Sequence, residues 1–136
     1  METGKAEKPN LSQYNEAVNG LSATAWFERG YELSGTGKYQ EAMKAYTKAL
    51  ELNPNYASAY NSRGIAHARL GNNRQAIKDF DKAIELNPNY AEAYDNRGIV
   101  YGNLGDYQRA IWDYKKAARL GRKGAQEFLK VKGISW

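Results

Sequence analysis

The chain has 136 residues, 42% hydrophobic and 26% charged, with a formal net charge of +5, a balance that suits one soluble folded unit or a short repeat array. It has no cysteine and a single histidine, His67, which excludes disulfides, thiolate catalysis, Cys-based metal sites and His clusters. No apolar run approaches the roughly 18 residues of a membrane span, and the polar N-terminus lacks the apolar core of a signal peptide, so a cytoplasmic location without a membrane partner is expected.

Residues 1–10 are polar and carry Gly4 and Pro9, and are expected to be disordered. In residues 11–22, Leu11, Tyr14, Ala17, Val18 and Leu21 recur at helical spacing, which predicts a short amphipathic helix or, failing that, a linker. Tyr14–Val18 (YNEAV) also resembles Tyr39–Met43 (YQEAM), as the second helix of a decayed repeat would.

From Ala23 onward one pattern returns every 34 residues, in copies spanning 23–56, 57–90 and 91–124. Trp26, Tyr60 and Tyr94 align, as do Arg29-Gly30, Arg63-Gly64 and Arg97-Gly98. Ala42, Ala76 and Ala110 follow in register, then Tyr46, Phe80 and Tyr114, then Ala49, Ala83 and Ala117. Such a period predicts stacked repeats. Within the first copy a helix is expected from about Thr24 to Thr36, ended by Gly37, and a second from about Tyr39 to Leu52, ended by Asn53-Pro54. Connections of two or three residues force the helices antiparallel. Small residues facing large ones would interlock the pairs. Arg63 and Arg97 stand 16 residues before Asp79 and Asp113 and are expected to form ion pairs between the helices of a repeat. The first copy has Ala45 at the matching place.

The third copy ends in Gly121-Arg122 where the others have Asn-Pro. Residues 125–136 then give an apolar stripe of Ala125, Phe128 and Leu129 against Gln126, Glu127, Lys130 and Lys132, which predicts a capping helix. Gly133 would stop it, with Ile134 and Trp136 folding back as an apolar plug. Net charge climbs along the chain, from zero over 23–56 to +3 over 91–124.

These markers, together and in register over residues 23–124, resemble the tetratricopeptide repeat (TPR) family. Two departures stand out. The residue before the first glycine, usually Leu in the family, is Arg29, Arg63 and Arg97. The aromatic expected three residues after that glycine is Leu33 and His67 in the first two copies. The resemblance implies an all-α fold, a right-handed superhelical array of antiparallel helix pairs (an α-solenoid), with a concave face lined by the first helix of each pair. It also implies a non-enzymatic scaffold holding a peptide or a partner's helix in that groove. The groove residues are then those on the first helices away from the packing markers: Thr24, Phe27 and Tyr31; Asn61, Ser62, Ile65 and Arg69; Glu92, Asp95, Asn96, Ile99 and Asn103. Phe27, Tyr31, Ile65 and Ile99 would form an apolar floor, and the asparagines could bond a ligand's backbone. An alternative covers Phe27 and Tyr31 with the 11–21 segment. One subgroup of the family clamps the acidic C-termini of heat-shock chaperones with basic and amide side chains. The matching positions here are Phe27, Tyr31, Ser62, Glu92 and Asn96; none is basic, so no such clamp is expected.

The lone His67 lies among core positions and suits a structural role. No nucleophile, base and orienting group assemble, and no cofactor is expected. A self-associating scaffold, using Trp136 and the 11–21 segment, is the competing reading. The sequence pI of about 9.3 and the 11 tyrosines suggest nucleic acid, but most of those tyrosines are repeat-core markers, which leaves few for base stacking.

Overall fold

A computed structural model describes residues 20–136. The expected disorder of residues 1–10 and most of the 11–22 segment fall outside the described residues. Among the described residues seven helices follow in order: α1 (Ala23–Gly35), α2 (Tyr39–Leu52), α3 (Ala57–Arg69), α4 (Asn73–Leu86), α5 (Ala91–Asn103), α6 (Tyr107–Arg119) and α7 (Lys123–Val131). The first helices α1, α3 and α5 start 34 residues apart. α1 starts one residue earlier than expected because the Ser22 hydroxyl accepts a hydrogen bond from the Ala25 amide at 3.1 Å, satisfying one of the free donors of the first turn.

The turns follow from backbone chemistry. Gly37 sits at φ +77°, where a side chain would clash with the backbone. The Lys38 amide then reaches back to the Leu33 carbonyl at 2.9 Å, closing the helix end. Gly71 and Gly105 repeat this geometry. At the other connections the Tyr60 hydroxyl donates to the Pro54 carbonyl and the Tyr94 hydroxyl to the Pro88 carbonyl, each at 3.0 Å. The repeated aromatic of the first helix therefore fastens the loop that precedes it.

The helices form an all-α helical-repeat solenoid. Each second helix packs against its own first helix and against the first helix of the next unit. The first helices α1, α3 and α5 also touch in succession. That closer spacing makes their row the inner, concave side of the stack and leaves the second helices on the outer side. α7 packs on α6 as the first helix of a fourth unit would. Its Ala125 and Leu129 are buried with Tyr94, Ala117 and Ala118. Ile134 packs against this cluster, but Trp136 does not form the expected plug and remains 43% exposed. Gly133 turns the chain at φ +69°, which brings only the first of the two apolar residues back to the core.

Packing turns on the close approach of glycine to a ring. A Cβ on Gly64 would lie 2.7 Å from the Phe80 ring, and Gly30 faces Tyr46 in the same way. Phe80, Tyr46 and the alanines Ala42, Ala76, Ala83 and Ala117 are buried.

The two expected ion pairs are present. The Arg63 guanidinium donates to both oxygens of Asp79 at 2.8 Å, and Arg97 donates to Asp113 at 2.9 and 2.8 Å. Each arginine also reaches the preceding second helix, Arg63 to the Thr47 hydroxyl at 3.3 Å and Arg97 to Asp81 at 2.9 Å. One side chain thus ties three helices. The bonds to Asp79 raise the Arg63 pKa above its ordinary value, against the opposing effect of burial.

Two measurements check this packing. Gly64→Ala should destabilise the protein by about 1–3 kcal/mol, because the ring cannot retreat in a filled core. Gly102→Ala, whose Cβ would meet only the Ala110 methyl at 4.0 Å, should gain up to about 1 kcal/mol from helix propensity; urea denaturation of both variants reads the difference in sign. For Arg97, whose two partners differ sharply in exposure (Asp113 1%, Asp81 53%), Asp113→Ala should cost about 3 kcal/mol. Asp81→Ala should cost less than about 1 kcal/mol.

Candidate functional site

The inner face is built from α1, α3 and α5, and the twelve groove residues anticipated from the sequence all lie on these helices. At the N-terminal end, Tyr31 is 68% exposed. Phe27 is half-buried and belongs to an aromatic cluster, its ring centroid 5.1 Å from Tyr56, 5.8 Å from Tyr46 and 6.5 Å from Tyr31. Phe27, Glu28, Tyr31 and Glu32 border a shallow hollow of about 280 Å³. Thr24 is exposed beside it.

A deeper cavity of about 400 Å³ opens between α3 and α5. Ile65, Arg69, Asn96, Ile99 and Asn103 line it, all anticipated as groove residues. Ala68, Phe80 and Val100 complete it. Ala68 lies on the anticipated groove face, whereas Phe80 and Val100 were missed because they are buried core residues that show only through the gap between two first helices. Ile99 at the rim is 46% exposed.

The polar residues are less free than their spacing suggested. Asn61 is 2% exposed. It does not stand on the open wall, because its amide nitrogen donates to Glu92 at 3.4 Å and its carbonyl accepts from Asn96 at 3.3 Å. Residues 31 and 35 positions apart are thereby joined across two repeats. Asp95 is engaged too, accepting from the Arg122 guanidinium at 3.1 Å, so the turn before α7 neutralises one groove carboxylate. Ser62 is half-buried and Arg69 exposed. Glu28 and Glu32 remain exposed acids at the N-terminal end, and Arg69 is the exposed cation of the anticipated set.

His67 lies on the opposite, outer side of α3. Its Nε2 is 3.7 Å from Asp79, and its Nδ1 is buried with no hydrogen-bond partner among the described residues. Burial lowers its pKa from the ordinary 6.5, with Asp79 opposing and Arg63 assisting. Burial thus favours the neutral ring, and a proton on Nδ1 would find no acceptor among the described residues.

Three family profiles match the chain: one described as TPR repeat over residues 30–71, and two described as Tetratricopeptide repeat over 57–90 and 80–111. Among solved structures, the chain is similar to the first TPR of Spaghetti (RPAP3) bound to the HSP90 peptide SRMEEVD. The identity is 30%, the TM-score 0.76, and the match covers 79% of this chain and 89% of that one. The second TPR of Spaghetti, bound to the same peptide, matches at 26% identity and TM-score 0.71 over 78% and 98% of the two chains. The Arabidopsis OM64 TPR domain matches at 27% identity and TM-score 0.75 over 81% and 95%. No curated protein matches at a significant level.

The depressed His67 pKa has a stability consequence with a definite sign. The unfolded chain takes up the proton near pH 6.5 and the folded one only lower, so His67 favours the fold above that pH and the contribution is lost as pH falls. His67→Leu, which restores the residue type of Leu33, should flatten the stability profile between about pH 7 and pH 5, as urea midpoints across that range would show.

Proposed function

The chain belongs to the tetratricopeptide repeat family, and from that premise we propose that it is a non-catalytic interaction scaffold holding a peptide or a partner helix along its concave groove. The observation that carries this reading is the 400 Å³ cavity between α3 and α5, apolar at its base and flanked by Arg69, Asn96 and Asn103. Such a site accepts one apolar side chain and offers polar groups to the backbone around it.

The chemistry of the groove also selects among peptides. The two Spaghetti domains hold an acidic chaperone peptide, but this groove presents Glu28 and Glu32 at one end and Glu92 at its centre. Its central amides, Asn61 and Asn96, are engaged with Glu92 and with each other. An acidic tail would meet like charge and few free donors. The fitting ligand carries an apolar anchor for the cavity and a neutral or basic residue near Glu28 and Glu32.

The test uses two exposed groove positions, so that folding is spared. Tyr31→Ala combined with Ile99→Asp should abolish capture of a partner that the wild type retains from a lysate, with the helical circular dichroism unchanged. Retention by both proteins overturns the groove reading. Titration calorimetry with the peptide SRMEEVD should give weak binding; micromolar or tighter binding would contradict the charge argument.

A further inference from the structure

The outer ridges of the three second helices are equivalent in backbone but not in chemistry. On α2 the ridge is Glu41, Lys44, Lys48 and Glu51; on α4 it is Gln75, Lys78, Lys82 and Glu85; on α6 it is Arg109, Trp112, Lys116 and Arg119. The spacing of three, four and three residues puts each set on one helical stripe. Ridge charge therefore runs from zero to +1 to +3. On the first two ridges a lysine is paired with the glutamate three residues on, Lys48 with Glu51 and Lys82 with Glu85, each at 3.4 Å. On α6 the glutamate is replaced by Arg119, and among the described residues no carboxylate lies within ion-pair distance of Lys116 or Arg119. Complementing the helix dipole does not require this, since α2 and α4 end in acidic residues at the same place.

Trp112 breaks the pattern more sharply. It replaces a lysine found in both earlier units and is 58% exposed. It borders a small outer cavity of about 230 Å³ shared with Arg97, Tyr101, Arg109 and Asp113. An exposed tryptophan beside arginines and a tyrosine is the composition of an interface centre, and an unlikely one for a surface meant only for water.

We propose that the α6 ridge is a second docking surface, separate from the concave groove, for an acidic protein segment with an apolar anchor. The anchor rests on Trp112 and in the adjoining cavity, whose rim includes Arg109, itself paired with Asp106 at 3.1 Å, and carboxylates beside the anchor meet Lys116 and Arg119. The stripe from Arg109 to Arg119 is about 15 Å long, the reach of roughly five extended residues. A nucleic-acid strand fits less well, because it needs successive free rings. Tyr101 is already faced by the Arg97 and Arg109 guanidiniums, and Tyr94 by Arg97 and Lys116. A membrane fits less well because the apolar residues of α6 other than Tyr107 and Trp112 point into the core or lie partly buried.

The probe is a fluorescein-labelled twelve-residue peptide of glutamates with one central leucine, measured by anisotropy beside its all-glutamate counterpart. The leucine peptide should bind about tenfold more tightly than the counterpart, as burial of one apolar side chain allows. Trp112→Lys with Arg119→Glu restores what the α4 ridge carries at both positions, and should weaken the leucine peptide at least tenfold with the melting temperature unchanged. Lys44→Ser lowers the net charge by the same one unit on the first ridge and should leave binding as it was. Equal binding by the ridge variant, or equal loss with Lys44→Ser, overturns the proposal. So does tighter ridge-dependent binding of a fifteen-residue oligothymidylate or of vesicles containing phosphatidylserine.

Discussion

Each repeat brings a glycine of its first helix against a bulky ring of its second, Gly30 under Tyr46, Gly64 under Phe80, and Gly98 beside Tyr114. The missing side chain sets the distance between the two helices, and that distance sets everything built on them. Because one pair buries only part of its apolar surface, the next pair must cover the remainder. The Ala42, Ala76 and Ala110 methyls sit where a larger side chain would push the pairs apart. A close contact of this kind recurs in every unit, tightest at Gly30 and Gly64 and looser at Gly98.

Charge is used inside the stack as well as on it. Arg63 and Arg97 lie beneath the outer surface, and each bridges two successive second helices through its own first helix. A guanidinium suits this place because its planar fork can serve a carboxylate in two bonds and still reach a third group. A leucine there would fill space without fixing the rotation of one pair on the next. The family departure at these positions therefore exchanges some apolar burial for a defined inter-repeat geometry.

The two faces that result have different chemistry. The inner face is apolar and mildly acidic, with its central amides tied to one another. The outer ridge of the last unit is basic and carries an exposed tryptophan. If both proposals hold, opposite charge on opposite faces would keep two segments of opposite charge from competing for one surface.

Much of this is legible in the sequence. The 34-residue register gave the helix pairs, Gly37 and Asn53-Pro54 gave their ends, and the separation of Arg63 from Asp79 gave the ion pair, because these are local or strictly periodic features. The groove was legible as a set of helix faces but not as a site. Asn61 is on the correct face yet is buried, because a neighbour 31 residues away, Glu92, takes its amide. Asp95 is on the correct face yet is neutralised by Arg122, 27 residues on. Phe80 and Val100 belong to the core pattern yet show at the bottom of the cavity. Periodicity reports which side of a helix faces a neighbour, since that is fixed by 3.6 residues per turn. It carries no information on the gap between two helices or on which polar groups meet across it. The sequence by itself therefore determined the repeat, its helices and its internal ion pairs, while only the tertiary packing decided which groove side chains stay open, because exposure depends on distances between separate units.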